Sequence, residues 1–237
     1  MLEILFEDAH FLVVNKPAGL LTQGRPGGET TLEVAVRSHL NPEVPTQTYL
    51  GTVHRLDRPV SGVVLWAKNP RAARRLAGQF ESREAKKEYL AVVSNTVAPI
   101  LRGVWEDWLC EEDTGVGVVQ VCLRGTPRSR RAVTRCALEE AVSLPEGTSL
   151  LRLFPETGRT HQLRVQTGAR GFPILGDSAY GSKFGFPIGI ALHARTLTIR
   201  HPITEQWMTF MAPVPGAWQA AGIALVGDSE QECGINR

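Results

Sequence analysis

The pattern that most restricts the fold is a series of short apolar, β-branched runs broken by only a few helical stretches. Phe11 to Val14, Gly62 to Lys68, Glu88 to Ser94, Leu150 to Phe154, Ile190 to Ile199 and Trp207 to Met211 all read as strands. Leu2 to Phe6 precedes a Glu7–His10 turn, which predicts a strand–turn–strand start. Two or three further strands are expected between Gly103 and Thr148, with turns at Asp113-Thr114-Gly115 and Gly125-Thr126-Pro127. Thr31 is the expected N-cap of a helix from Leu32 to about Leu40, with Glu33 in its first turn. Asn69 and Pro70 supply a cap and a first-turn proline for a second helix reaching about Ser82, with an apolar stripe of Ala73, Leu76, Ala77 and Phe80. Thr160 is the expected cap of a third helix ending near Gly168, whose face carries His161 and Arg164 at three-residue spacing. Strands and helices do not alternate regularly. That pattern argues against a doubly wound parallel sheet and for an α+β fold.

Composition narrows the class. An apolar fraction of 43% with 21% charged residues over 237 residues suits a soluble globular chain with a sizeable core. No run of about 18 apolar residues occurs, so no transmembrane helix is expected. The acidic, alternating start at Met1-Leu2-Glu3-Ile4 lacks the form of a signal peptide, and the cytoplasm is the expected location. Cys110, Cys122, Cys136 and Cys233 are scattered with no Cys-x-x-Cys pair, which predicts reduced structural thiols and neither a disulfide framework nor a zinc site. We expect residues 1–226 to form one catalytic domain and 227–237 a frayed polar tail.

A net charge of +2 is low for a nucleic-acid binder, but the charge is unevenly distributed. Five arginines and no acidic residue lie between Arg124 and Arg135, including Arg128, Arg130 and Arg131. A second basic cluster runs from Arg71 to Lys87, diluted by Glu81 and Glu84. A charge run alone is usually a solvated face. Two of them beside a candidate site point to phosphate contact.

That candidate site is carried by two stretches, His54-Arg55-Leu56-Asp57-Arg58-Pro59-Val60-Ser61-Gly62 and Thr157-Gly158-Arg159-Thr160-His161-Gln162-Leu163-Arg164-Val165. If Arg55-Leu56-Asp57 is extended, Arg55 and Asp57 share one face and His54 and Leu56 the other. Pro59 and Gly62 would then bound a turn presenting the carboxylate. These segments resemble the RluA-type pseudouridine synthases, whose signature is His-Arg-Leu-Asp, two variable residues, then Thr-Ser-Gly, with Val60 here in place of the Thr. Asn15-Lys16-Pro17-Ala18-Gly19-Leu20, Lys86-Lys87-Glu88-Tyr89-Leu90-Ala91, Gly176 to Gly181, and Leu192-His193-Ala194 with His201-Pro202 resemble further blocks of that family, in the same order.

The resemblance implies a mixed, largely antiparallel sheet in two halves with flanking helices and a central catalytic cleft. It also implies isomerisation of uridine in structured RNA, either ribosomal or transfer RNA, by a monomer without metal, nucleotide or other cofactor. The catalytic pattern starts almost at residue 1, so no S4-type RNA-binding module is expected. Asp57 becomes the catalytic carboxylate, Tyr89 the aromatic residue against the target base, and Arg164 the cation that keeps Asp57 ionised. Spacing alone leaves Arg159 and Arg164 both open for that last role. Arg55 would fill the stack left by an extruded nucleotide. Lys16 and His54 are expected as supports beside the substrate, with Lys16 either steadying a loop or touching a phosphate. His161 and His193 have no metal-ligand spacing and are expected to be structural.

Two other readings compete. One is an RNA chaperone of the same fold without catalysis, which replacement of Asp57 or Tyr89 would favour; neither is replaced. The other is a hydrolase using Ser61, His54 and Asp177, although Ser61 has no Gly-x-Ser-x-Gly elbow.

Overall fold

The computed structural model describes residues 2–24, 29–95, 102–111 and 118–226. In chain order the elements are β1 (Glu3–Glu7), β2 (Phe11–Lys16), α1 (Leu32–Leu40), β3 (Gly51–Thr52), β4 (Ser61–Ala67), α2 (Pro70–Glu81) and β5 (Lys86–Ser94). There follow β6 (Gly103–Glu111), β7 (Val119–Cys122), β8 (Arg130–Glu139), β9 (Ala141–Ser143), β10 (Thr148–Pro155) and α3 (Gln162–Ala169). The chain closes with β11 (Leu192–Arg200), β12 (Trp207–Met211), α4 (Gly216–Ala220) and β13 (Ala224–Leu225). This is the expected α+β composition, rich in antiparallel pairing. The turn expected at Asp113–Gly115 and the tail after Val226 lie outside the described residues.

The chain divides into two compact units. The first holds residues 2–86 and Ala194–Pro215. Its strands follow the order β1-β2-β4-β11, with β3 on β4 and β12 on β11. The pairings β1–β2, β2–β4, β3–β4 and β11–β12 are antiparallel. Asp8 makes the first turn, its carboxylate accepting the amides of His10 (2.7 Å) and Phe11 (2.9 Å). Phe11, Val13, Val63, Leu65 and Ala67 face one cluster with Leu76 of α2. Leu12, Val14, Val64 and Trp66, which point the other way, are equally buried. Burial on both faces is why these strands read as unbroken apolar runs rather than as alternation.

Both early helices start where their caps predict. The Thr31 hydroxyl accepts the Val34 amide at 3.3 Å, and the Asn69 side chain accepts the Ala72 amide at 2.9 Å. Of the expected stripe of α2, Leu76 is buried and Ala73 and Phe80 pack against the core cluster, while Ala72 and Gln79 are buried as well. Gln79 is drawn inward because its amide grips one residue of β11 twice: it donates to the Arg200 carbonyl (2.8 Å) and accepts the Arg200 amide (2.7 Å). Gly62 does not bound the turn as expected. It sits inside β4 opposite Lys16, at φ 117°, where a Cβ would lie 2.2 Å from the Ala194 carbonyl oxygen. Only glycine permits that backbone approach.

The second unit holds Lys87–His193 and residues 216–226. Its main strands follow the order β5-β10-β8-β6-β7, all antiparallel in register, with a small β9–β13 pair apart. α3 begins differently from the expectation. Its N-cap is His161, in the left-handed region at φ 53°, and Thr160 makes no cap. No side chain caps it; the Gln162 side chain instead ties the helix start to the chain before it, its oxygen accepting the Arg159 amide (3.0 Å) and the Thr157 hydroxyl (2.7 Å).

Candidate active site

Asp57 lies in a segment whose exposure alternates: Arg55 is exposed, Leu56 buried, Asp57 half-buried. This is the facing expected of an extended Arg55–Asp57. The turn that follows is closed by the Val60 amide donating to the Asp57 carbonyl at 3.1 Å. Three groups from residues 16–22 grip this segment. The Thr22 hydroxyl donates to the Leu56 carbonyl (2.7 Å) and accepts the Leu56 amide (3.2 Å). Gly19 and Arg58 exchange two bonds, the Gly19 amide to the Arg58 carbonyl (2.9 Å) and Arg58 Nε to the Gly19 carbonyl (3.0 Å).

The third group is Lys16, which is fully buried. Its ammonium donates to the carbonyls of Pro17 (3.0 Å), Leu20 (2.6 Å) and Arg58 (3.2 Å). An ammonium has three donors, and three carbonyls take them. Burial lowers Lys16 to about 8, while the Asp57 charge pulls it back upwards. Of the two roles open to Lys16, the geometry is that of a loop support. No solvent-facing surface remains for a phosphate.

His54 is a support as well. Its Nε2 accepts the Leu65 amide at 3.0 Å, and its ring stacks on Phe80 with centroids 4.8 Å apart. Accepting at Nε2 leaves the neutral ring's proton on Nδ1. Ser61 is 1% exposed, and Asp177 is committed to Arg164 as described below. A hydrolase needs an accessible serine with a free imidazole nitrogen, so this geometry removes that reading.

In the second unit Tyr89 lies half-buried on β5, opposite Leu153 of β10. Lys87, two residues earlier, shares its face of the strand. Its ammonium reaches the Thr157 carbonyl at 3.4 Å, beside Gly158. Burial lowers it to about 8. Sequence reasoning had counted Lys87 among surface cations; its lysine-x-tyrosine spacing was the available sign of a different role.

Arg164 is 7% exposed and grips Asp177 in a two-pronged pair, Nε to Oδ2 at 2.7 Å and Nη2 to Oδ1 at 2.8 Å. The Tyr180 ring lies against the guanidinium, 5.0 Å from centroid to Cζ, and the Tyr180 hydroxyl pairs with His161 Nδ1 at 2.7 Å. Asp177, which the sequence places in the Gly176–Gly181 block and in the hydrolase reading, is what orients Arg164. The helix bearing Arg164 is fixed by a polar edge at four-residue spacing. Gln162 Nε2 donates to the Val133 carbonyl (3.0 Å) and the Thr134 hydroxyl (2.9 Å). Gln166 Nε2 donates to Asp107 (2.7 Å), and Arg170 pairs with the same carboxylate at 3.0 Å. His193 is buried against Trp218, and His161 is held by Tyr180, as structural histidines would be.

The arginines beyond Gly125 are less uniform than the sequence suggested. The Thr126 and Ser129 amides close a turn between β7 and β8, with Arg128 at φ 61° and exposed. Arg130 and Arg131 already belong to β8. Arg131 makes a two-pronged pair with Glu106 (2.7 and 2.8 Å), and this bond holds the Glu106 carboxyl below its ordinary range. Arg159 is exposed and its Nε donates to the Arg131 carbonyl at 3.0 Å. Arg159 is therefore not in the place that Arg164 holds.

Similarity to known proteins identifies the family. Residues 10–169 match the family model described as RNA pseudouridylate synthase. The chain is 35% identical over 221 residues to the dual-specificity RNA pseudouridine synthase RluA of Pasteurella multocida, covering 90% of this chain and 93% of that one. It is 36% identical over 228 residues to the ribosomal large subunit pseudouridine synthase C of Escherichia coli, covering 89% of this chain and 66% of that one. Among solved structures, human RNA pseudouridylate synthase domain containing 1 superposes with a TM-score of 0.74 at 26% identity, covering 95% of this chain and 90% of that one. This chain belongs to the RNA pseudouridine synthases, in the branch that includes RluA.

Proposed function

We propose that the chain isomerises uridine to pseudouridine in structured RNA, with Asp57 as the catalytic carboxylate. The observation that carries the reading is the clamp on the Asp57 segment. A half-buried carboxylate is presented on a turn whose backbone is fixed by Lys16, Gly19 and Thr22. Such rigidity suits a group that must meet one atom of a substrate in one orientation. The reaction breaks N1–C1′, joins C5 to C1′, and moves the C5 proton so that N1 ends protonated. One bond is exchanged and nothing is consumed, so the reaction needs no nucleotide or other co-substrate. Asp57 acts at C1′ or C6. Tyr89 stacks on the base and handles the C5 proton. Arg164 is the cation that keeps Asp57 ionised when the base excludes water. Arg55, exposed beside Asp57, fills the gap left by the extruded nucleotide. The relatives' names make large-subunit ribosomal RNA the first substrate to test. Transfer RNA is the second, and a cytoplasmic monomer completes the reading.

Incubating the protein with total RNA lacking pseudouridine, then mapping modified positions, tests this directly. Wild type is expected to modify one or a few positions without added nucleotide, and Asp57→Asn none while still folding and binding RNA. RNA binding by wild type with no new pseudouridine would favour a chaperone instead. Modification by Asp57→Asn would remove Asp57 from its role.

Arg164→Lys keeps a charge but loses the planar fork that fits Asp177. Its turnover is expected to fall about 100-fold, less severely than that of Arg164→Ala. Asp177→Asn takes the charge from the carboxylate that grips a buried guanidinium with two bonds and should cost about 3–5 kcal/mol in urea unfolding. Wild-type turnover in Arg164→Lys would show that charge alone suffices.

The basic turn makes a separate prediction. Arg131 is already paired with Glu106, so Arg128 and Arg130 are the two free to hold phosphates. Replacing both with alanine should lower the log–log salt slope of RNA binding by about 1.5, at roughly 0.7–0.9 per contact, with turnover at saturating RNA unchanged. An unchanged slope would make the run a solvated surface.

A further inference from the structure

A surface of the first unit made from none of the catalytic signature has the makings of a nucleic-acid contact. Trp207 opens β12 and is 50% exposed. Along that strand Met208 and Phe210 turn into the core cluster, so Trp207 and Thr209 point the other way. Arg200 is the cross-strand partner of Trp207, and Thr198 that of Thr209. Two cations sit against the indole, Lys86 Nζ at 5.6 Å and Arg200 Cζ at 6.0 Å from the ring centroid. A core has no use for this indole, which water half covers.

The neighbouring edge of α2 extends the same positive surface. Gln79 binds both backbone groups of Arg200, and one turn earlier Arg75 Nη1 donates to the Pro202 carbonyl at 2.5 Å. Arg71 stands a further turn along this edge, exposed. Two carboxylates oppose them: Glu84 at 3.3 Å and Glu205 at 3.4 Å from Arg200. Both distances exceed those of tight charge-assisted bonds, and pairs this exposed hold little. The cations Arg71, Arg75, Lys86 and Arg200 outnumber these two carboxylates. A half-exposed aromatic ring with guanidinium and ammonium groups close over it combines the stacking surface and the positive charge that unpaired nucleotides bind.

We propose that the outward face of the β11–β12 hairpin, centred on Trp207 and edged by Lys86, Arg200 and the Arg71–Arg75 side of α2, is a second RNA-contact surface. It stacks an unpaired base on Trp207 and holds the flanking phosphates. The proposal rests on the reading of the chain as an RNA-modifying enzyme, and it gives a chain of this length a way to grip RNA beyond the reacting nucleotide. The partner is RNA because a protein docking on bare indole would not call for cations on both sides of it.

The test is turnover and filter binding with total RNA lacking pseudouridine, using Trp207→Ala, Trp207→Phe and Lys86→Ala. Trp207→Ala is expected to weaken RNA binding and raise KM about tenfold, within the range for one stacked base, with kcat unchanged. Trp207→Phe, which keeps an aromatic face, should recover most of the loss. Lys86→Ala should lower the salt slope by about 0.7–0.9. Wild-type KM, affinity and slope in all three would overturn the proposal. A fall in kcat without a change in affinity would overturn it too, since that marks a structural role. If the wild-type protein makes no pseudouridine, the reaction assigned above fails while the filter-binding comparison still decides this surface.

Discussion

A buried ammonium holds together the part of the fold on which catalysis turns. Lys16 ends β2, opposite Gly62 of β4, and spends its three donors on the carbonyls of Pro17, Leu20 and Arg58. An uncompensated charge there would be costly, so the three carbonyls are required by the burial itself. Their convergence brings residues 17–20 and the turn after Asp57 onto one point. Gly62, paired with Lys16, lets the Ala194 backbone of β11 come close through a backbone conformation and an approach that no side chain tolerates. The position of Asp57 thus follows from strand pairing and one charge, without depending on the local propensity of its own loop.

The second unit solves a similar problem by a different route. Arg164 is oriented by a short, two-pronged bond to Asp177 and by the face of Tyr180. The helix that carries it is short, and apolar packing is a small part of its anchorage. Gln162, Gln166 and Arg170 tie it to β6, β8 and the chain before it. Buried polar networks of this kind are unforgiving when broken, which also makes them specific. The guanidinium is therefore set in place before any RNA arrives.

What the sequence revealed depended on how local the physics was. The starts of α1 and α2 were legible because Thr31, Asn69 and Pro70 act on amides within three residues. The strands were legible because two-sided burial leaves a continuous apolar record. The start of α3 was not, because the helix begins without a side-chain cap, at a left-handed His161, and Gln162 fastens it to the preceding chain. The burial of Gln79 was not legible, because its partner lies 121 positions away. Asp177 and Lys87 were visible within recognisable blocks, but a letter does not say whether a charge is buried or what it touches. The catalytic signature around Asp57 could be read directly; the reason it holds still could not.

Lys16→Met offers the most direct test of that reason, because methionine keeps the length and buries well but has no donor. Hydrogen exchange and turnover should be measured on the same variant. The amides of Leu56 and Val60, bonded to Thr22 and to the Asp57 carbonyl, are expected to lose protection while those of β2 and β4 keep theirs. Turnover should fall about 100-fold, as a misplacement near 1 Å would cause, with RNA affinity unchanged. Native protection with wild-type turnover would contradict the account, and weakened RNA binding alone would make Lys16 a phosphate ligand after all.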